Sequence, residues 1–135
     1  MTIFLQKLCS TLIVPVGWTV LTVILLCLPG STIPGNGLFS IPHLDKVVHV
    51  ALFGGIVLFW GFYKRTYRQA GRQWQLNIII ITLLTVILGI VLEYLQLYYV
   101  PNRSFDMGDI IADATGAILV LGYLTFQRNR SKVVS

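Results

Sequence analysis

Five carboxylates are all the acidic groups this 135-residue chain carries, and they fall beside its other reactive side chains. Asp45 and His49 stand four residues apart, which puts them on one side of a helix, one turn from each other. Lys46 lies between them. Glu93 and Gln96 stand three apart on a second segment. Asp106, Asp109 and Asp113 step by three and four along a third, just after Arg103. Three kinds of chemistry suit these types at these spacings. His49, oriented by Asp45, could act as a general base with Glu93 as the acid. Asp106, Asp109 and Asp113 offer an oxygen-rich set of the kind that holds a hard divalent cation, Mg²⁺ or Ca²⁺. Arg103, Lys46 and His49 could engage a phosphate or carboxylate, with Arg suited to bidentate contact. No motif names a nucleophile, since Ser104 has no marked His partner.

The elements that must position these groups follow from hydropathy. The chain is 56% hydrophobic and only 11% charged, with mean hydropathy +0.79; a soluble domain carries about 25% charged residues. Its apolar runs reach the length that spans a bilayer, which favours a membrane protein over an unusually apolar soluble bundle. The reading is an all-α integral membrane bundle, a single domain over 1–135, with four transmembrane helices at about 11–28, 44–63, 76–98 and 107–126. Between Arg72 and Glu93 no charge interrupts the third segment. Pro15 falls in the first turns of the first segment, where it is tolerated. Lys7 followed by an apolar run imitates a signal peptide, but Leu26-Cys27-Leu28 stands where a small-x-small cleavage site would be, so the segment reads as a retained helix. Cys9 and Cys27 flank it, roughly 27 Å apart at helical rise, and cannot bridge within it.

Basic residues set the orientation. Lys64, Arg65, Arg68 and Arg72 join segments two and three; Arg128, Arg130 and Lys132 follow segment four; Lys7 precedes segment one. All eight belong on the cytoplasmic side, so both termini are expected there, in a cytoplasmic (inner) membrane. Topology also accounts for the net charge of +5, which in a soluble chain would suggest nucleic acid; no nucleic-acid partner is expected. Phe39, Tyr98 and Tyr99 are expected at the outer interface, Tyr67 and Trp74 at the inner one. Every carboxylate then lies at or just below the outer face, with His49, His43, Lys46, Arg103 and Gln96 at the same level. Asp113, His49 and Glu93 should be the deepest.

Charge inside the hydrocarbon costs roughly 2.5–3.5 kcal/mol per group at the centre, so such a cluster needs pairing, water or a ligand. A purely structural network would pair Arg103 with Asp106 and Asp109, Lys46 with Glu93, and His49 with Asp113. His43, beside Pro42, reads as a solvated loop residue; Tyr94, Tyr98 and Tyr99 read as interface anchors; Gly54, Gly55, Gly89 and Gly116 read as close-packing points between helices.

Three blocks of these residues resemble a known family. Asp45-Lys46-Val47-Val48-His49 with Phe53 is similar to the D-K-x-x-H-x-x-x-F signature of VanZ-like membrane proteins. Glu93-Tyr94-Leu95-Gln96 is similar to its E-x-x-Q motif. Arg103-Ser104-Phe105-Asp106-Met107-Gly108-Asp109, followed by Ala112-Asp113-Ala114-Thr115-Gly116, resembles its R-S-x-D-x-x-D-x-x-A-N-x-x-G motif. The resemblance covers roughly residues 40–125. It departs at Asp113, where the family usually has Asn: Asp brings a charge, so it must be protonated or partnered by a cation. The resemblance implies a cell-envelope membrane protein, and association with resistance to the glycopeptide teicoplanin.

Three function classes remain open. The first is a factor that binds a lipid-linked envelope precursor or lipoglycopeptide through Asp45, Lys46, His49, Glu93, Gln96, Arg103, Asp106, Asp109 and Asp113. The second is a lipid-headgroup enzyme, metal-dependent through Asp106, Asp109 and Asp113. The third is a structural or assembly subunit of a membrane complex. A bundle this small has little interior volume, so a large ligand would lie in a groove open to lipid or at the seam of a homo-oligomer. A monomeric transporter is disfavoured by a site at one face rather than the midplane.

Overall fold

The computed structural model describes residues 11–29, 43–66 and 71–133. Lys7, Cys9, Phe39, Pro42, Tyr67 and Arg68 lie outside the described residues, as do the side chains of Arg65, Arg130 and Lys132. The described residues are all-α: α1 (Ile13–Leu26), α2 (Leu44–Thr66), α3 (Gly71–Tyr99) and α4 (Met107–Val133). Three helices are long and apolar enough to cross a membrane, over Leu44–Lys64, Arg72–Tyr99 and Met107–Asn129. Three of the four expected spans are matched by these helices, and the first expected span, at about 11–28, corresponds to the shorter apolar helix α1. As described, α1 has 14 residues, about 21 Å at helical rise against a hydrocarbon core of about 30 Å. α2, α3 and α4 run beyond the apolar stretches that set the expected boundaries, because polar residues such as Arg72, Gln73 and Arg128 continue the helical hydrogen bonding outside them.

Local chemistry fixes the helix ends. Pro15 sits in the first turn of α1, where its missing N–H costs no intrahelical bond. His43, with φ 64°, turns the chain into α2, and its carbonyl accepts from Val47 N at 3.3 Å. Asn102, with φ 59°, reverses the chain between α3 and α4; Asn tolerates this left-handed conformation better than most residues. Asp106 caps α4: its Oδ1 accepts from Gly108 N at 2.7 Å.

Helices consecutive in the chain run antiparallel, so α2 and α4, which pack on each other most extensively, run parallel. The core has two parts. Leu26, Leu52, Phe53, Ile56 and Leu92 form one, nearer the start of α2. Val57, Phe62, Trp74, Ile78, Ala117 and Leu124 form the other, nearer its end. Close approach of α2 to α4 rests on glycine. A methyl group on Gly116 would collide with Val50 O, and one on Gly54 would meet Gly116 O at 3.2 Å. Gly54, Gly55, Gly89 and Gly116 are therefore packing points, as expected. α1 docks on α2 through Trp18 Nε1, which donates to Leu52 O at 3.0 Å, while the Trp18 ring covers Gly55. Leu83, Leu84, Ile87, Ile118 and Leu119 point outward and are more than half exposed, the apolar belt a bilayer would cover.

Candidate functional site

The start of α2, the end of α3 and the start of α4 meet at one end of the bundle, and all five carboxylates lie there. Lys46 is the hub. Its Nζ lies 2.6 Å from Asp106 Oδ2, 3.0 Å from Asp109 Oδ1 and 3.6 Å from Asp45 Oδ2. It reaches them because residue 108 is glycine: a methyl group there would stand 2.8 Å from Lys46 Cε. The Lys46 ammonium and the Gly108 N–H, which also bonds to its carboxylate, hold the Asp106 carboxyl below the ordinary carboxylate range.

Beneath Lys46 lies a buried layer that Asp109 shares. His49 Nδ1 lies 2.8 Å from Asp113 Oδ1, and His49 Nε2 lies 3.8 Å from Asp109 Oδ2. The His49 ring lies parallel to Phe53, with centroids 6.4 Å apart. Glu93, Asp113, His49 and Asp109 are 1, 2, 3 and 6% exposed. Glu93 Oε1 accepts from Asp106 N at 2.6 Å. In a capping box, the residue at the third helical position reaches back to the cap's N–H. Here that residue, Asp109, is committed to Lys46, and Glu93 from α3 takes its place. Gln96 faces elsewhere: its Nε2 donates to Leu26 O at 2.9 Å and ties α3 to the C-terminus of α1, satisfying a carbonyl that the helix end leaves open.

These contacts correct three expected pairings. Lys46 pairs with Asp106 and Asp109 rather than Glu93, because α2 packs closely along α4 and a lysine side chain spans that short gap. Arg103 pairs with neither aspartate. It makes no ion pair among the described residues, and its Nε is buried without a hydrogen-bond partner. His49 takes its partner from α4 rather than from Asp45, which is 55% exposed at the side chain. The expected pair of His49 with Asp113 is present. Among the described residues, the carboxylates whose oxygens lie within 4.8 Å of one another are Asp45, Asp106 and Asp109. Asp113 is not one of them, since its carboxylate serves His49 a turn deeper. The Lys46 ammonium already stands among that triad, so the expected trio of Asp106, Asp109 and Asp113 does not assemble as a cation site.

Residues outside the expected set of polar groups also shape the site. Gly89 faces Asp113, where a methyl group would lie 2.6 Å from Asp113 Oδ2. Phe105 packs on Tyr94, centroids 5.5 Å apart, pinning the segment that carries Arg103 to α3. Gly108, between two aspartates, carried a signal in its place within the motif; Gly89 and Phe105 carried none that periodicity could separate from ordinary packing.

The sequence pattern of the family described as VanZ/LLP1 matches residues 7–128. The chain belongs to the VanZ/LLP1 family. No curated protein and no solved structure shows significant similarity to it. In this VanZ/LLP1 member the three motif blocks are the three helix ends that meet: the first supplies Lys46 and His49, the second Glu93 and Gln96, the third Arg103 and the aspartates. Asp113 has a local partner in the His49 imidazole.

Proposed function

We propose that this chain is a cell-envelope membrane protein that binds the headgroup of an amphiphile at the acidic end of its bundle, and that this end faces away from the cytoplasm. The candidate amphiphiles are a lipid-linked envelope precursor and a lipoglycopeptide, the latter in keeping with teicoplanin-type resistance. The observation that carries the reading is Arg103. Lys46 is committed to two carboxylates and His49 to Asp113, whereas Arg103 has a buried Nε–H with nothing to receive it. A buried donor without a partner costs about 1–3 kcal/mol, and a phosphate or carboxylate oxygen would remove that cost. Arg103 therefore takes the anionic part of the headgroup, and the exposed oxygens of Asp45 and Asp106 accept from its hydroxyl or amide groups. An apolar groove of about 390 Å³ begins at Val50, next to His49, and continues past Gly54, Gly116 and Leu58. It offers an acyl or polyprenyl tail a path down the seam of α2 and α4.

The orientation rests on the basic residues. Lys64, Arg72 and Arg128 stand at the opposite end of the bundle, which the positive-inside tendency places in the cytoplasm. A membrane-embedded enzyme is the weaker reading, because His49 is 3% exposed and hydrogen-bonded to Asp113, leaving little room for a substrate at its ring. A clamp without a ligand is the reading favoured by the web itself, which joins α2, α3 and α4 and satisfies every member except Arg103. Binding of a polyprenyl-diphosphate-linked precursor and of teicoplanin to protein in detergent separates these readings. Arg103→Ala is expected to weaken binding at least tenfold without lowering the thermal stability of the ligand-free protein, since its buried Nε–H has no partner to lose. No binding by the wild type, together with a loss of thermal stability in Lys46→Met, would establish the clamp instead.

A further inference from the structure

Among the described residues, the charged side chains at the end of the bundle opposite the acidic cluster are all cationic. Lys64 closes the span of α2, Arg72 opens that of α3, and Arg128 stands near the end of that of α4. The five side-chain carboxylates of the whole sequence are Asp45, Glu93, Asp106, Asp109 and Asp113, all committed to the other end. No side-chain carboxylate of this chain stands at this end to pair with these cations. Arg128 has an aromatic partner, its guanidinium lying 5.0 Å from the Trp74 ring centroid. Lys64 has neither an ion pair nor a ring partner among the described residues, and it stands at the mouth of a groove.

That groove has a volume of about 270 Å³ and lies where α1, α2 and α3 diverge. Lys64, Trp60 and Ile56 line one wall at successive turns of α2; Ile81, Leu84 and Leu88 line the facing wall on α3. From Lys64 to Ile56 it extends about 12 Å along α2 at helical rise. Its polarity therefore runs one way: an ammonium where the hydrocarbon ends, then apolar side chains into it. Its hydroxyl groups are already used. Thr85 Oγ1 donates to Ile81 O at 2.8 Å, and Thr19 Oγ1 donates to Pro15 O and accepts from Trp60 Nε1. What fits is one anionic head followed by an unbranched apolar tail.

We propose that this groove is a binding site for an anionic glycerophospholipid of the leaflet at the basic end, with its phosphate at Lys64 and one acyl chain between α2 and α3. Anionic lipids concentrate basic residues at the membrane surface, and a cleft between helices beneath such a residue adds tail contacts that a bare surface lacks. The site is separate from the Arg103 end and does not depend on the function proposed for it.

Trp60 supplies the readout, because its ring lines the groove. A Trp18→Phe/Trp74→Phe chain is reconstituted with phosphatidylglycerol or phosphatidylcholine brominated on the acyl chain, at equal mole fraction. Phosphatidylglycerol is expected to quench Trp60 at several-fold lower mole fraction. Lys64→Gln should abolish that preference and Lys64→Arg should keep it. Native mass spectrometry of the unaltered chain should retain phosphatidylglycerol over phosphatidylcholine, and Lys64→Gln should not. Equal quenching by the two lipids in the Lys64 protein, or a preference that survives Lys64→Gln, would overturn the proposal.

Discussion

At the scale of the residue, Lys46 decides how the acidic end holds together. One ammonium sits among three carboxylates and does locally what a bound cation would do. Removing one partner of a buried ion pair costs about 3–5 kcal/mol, because the other is left charged without compensation. Lys46 is 29% exposed at the side chain and Asp106 48%, so water recovers part of that. Lys46→Met is expected to lower stability in detergent by on the order of 2 kcal/mol, and Asp109→Asn in that background to restore part of it; a cost that merely adds would deny the pairing. Asp106 adds a pH dependence with a definite sign. Its folded-state proton affinity is lowered by Lys46 and Gly108 from an ordinary value of 3.8, so it contributes stability that is present above that value and lost as pH falls through the lower folded value. Acid unfolding should begin below about pH 4, and Asp106→Asn should flatten that part of the curve. An unchanged acid limb in Asp106→Asn would mean that another group sets it.

At the scale of the element, the site depends on how closely helices approach. The level of each charge was legible in the sequence, because charges avoid the hydrocarbon and are driven to helix ends, and uninterrupted apolar runs marked those ends. The pairings were only partly legible. His49 with Asp113 followed from equal depth. Lys46 with Asp106 and Asp109 depended on α2 and α4 meeting at Val50, Gly54 and Gly116, a contact that sequence spacing does not encode. Gly89 shows what such contacts govern. A methyl group there would stand 2.6 Å from Asp113 Oδ2 and 3.1 Å from Phe53 Cε1, so α3 must shift or the carboxylate must leave His49. Overpacking of this kind costs about 1–3 kcal/mol. Gly89→Ala is expected to destabilise the bundle by that amount, and by less when Asp113 is already alanine, because the nearer collision is gone. Equal costs in the two backgrounds would place the strain on Phe53 and the Asp113 Cβ, which both lie 3.1 Å from the added methyl, rather than on the carboxylate.

At the scale of the whole molecule, the question is how many times the chain crosses. α2, α3 and α4 are each long enough, and their polar ends separate by sign: carboxylates with Lys46 and Arg103 at one end, Lys64, Arg72 and Arg128 at the other. α1 is held with its C-terminus at the acidic end by Gln96 and lies antiparallel to α2 through Trp18 and Leu52. Its 14 helical residues fall about 9 Å short of a hydrocarbon core of about 30 Å, so a fourth crossing needs help from the chain before Ile13 or from a locally thinner bilayer. Lys7 favours that crossing, since a basic residue before an apolar segment is retained in the cytoplasm. Substituted cysteines in a chain with Cys9 and Cys27 replaced by serine test both points on intact cells with an impermeant maleimide. Asn102→Cys, between α3 and α4, should react from outside. Arg72→Cys, at the basic end, should react only after permeabilisation. The same behaviour is expected of Gln6→Cys if α1 completes a fourth span. Reaction of Gln6→Cys from outside, with the other two as expected, would make α1 a helix that enters and leaves by the acidic face. The protein would then be a three-span bundle in which Gln96 anchors a helix that does not cross.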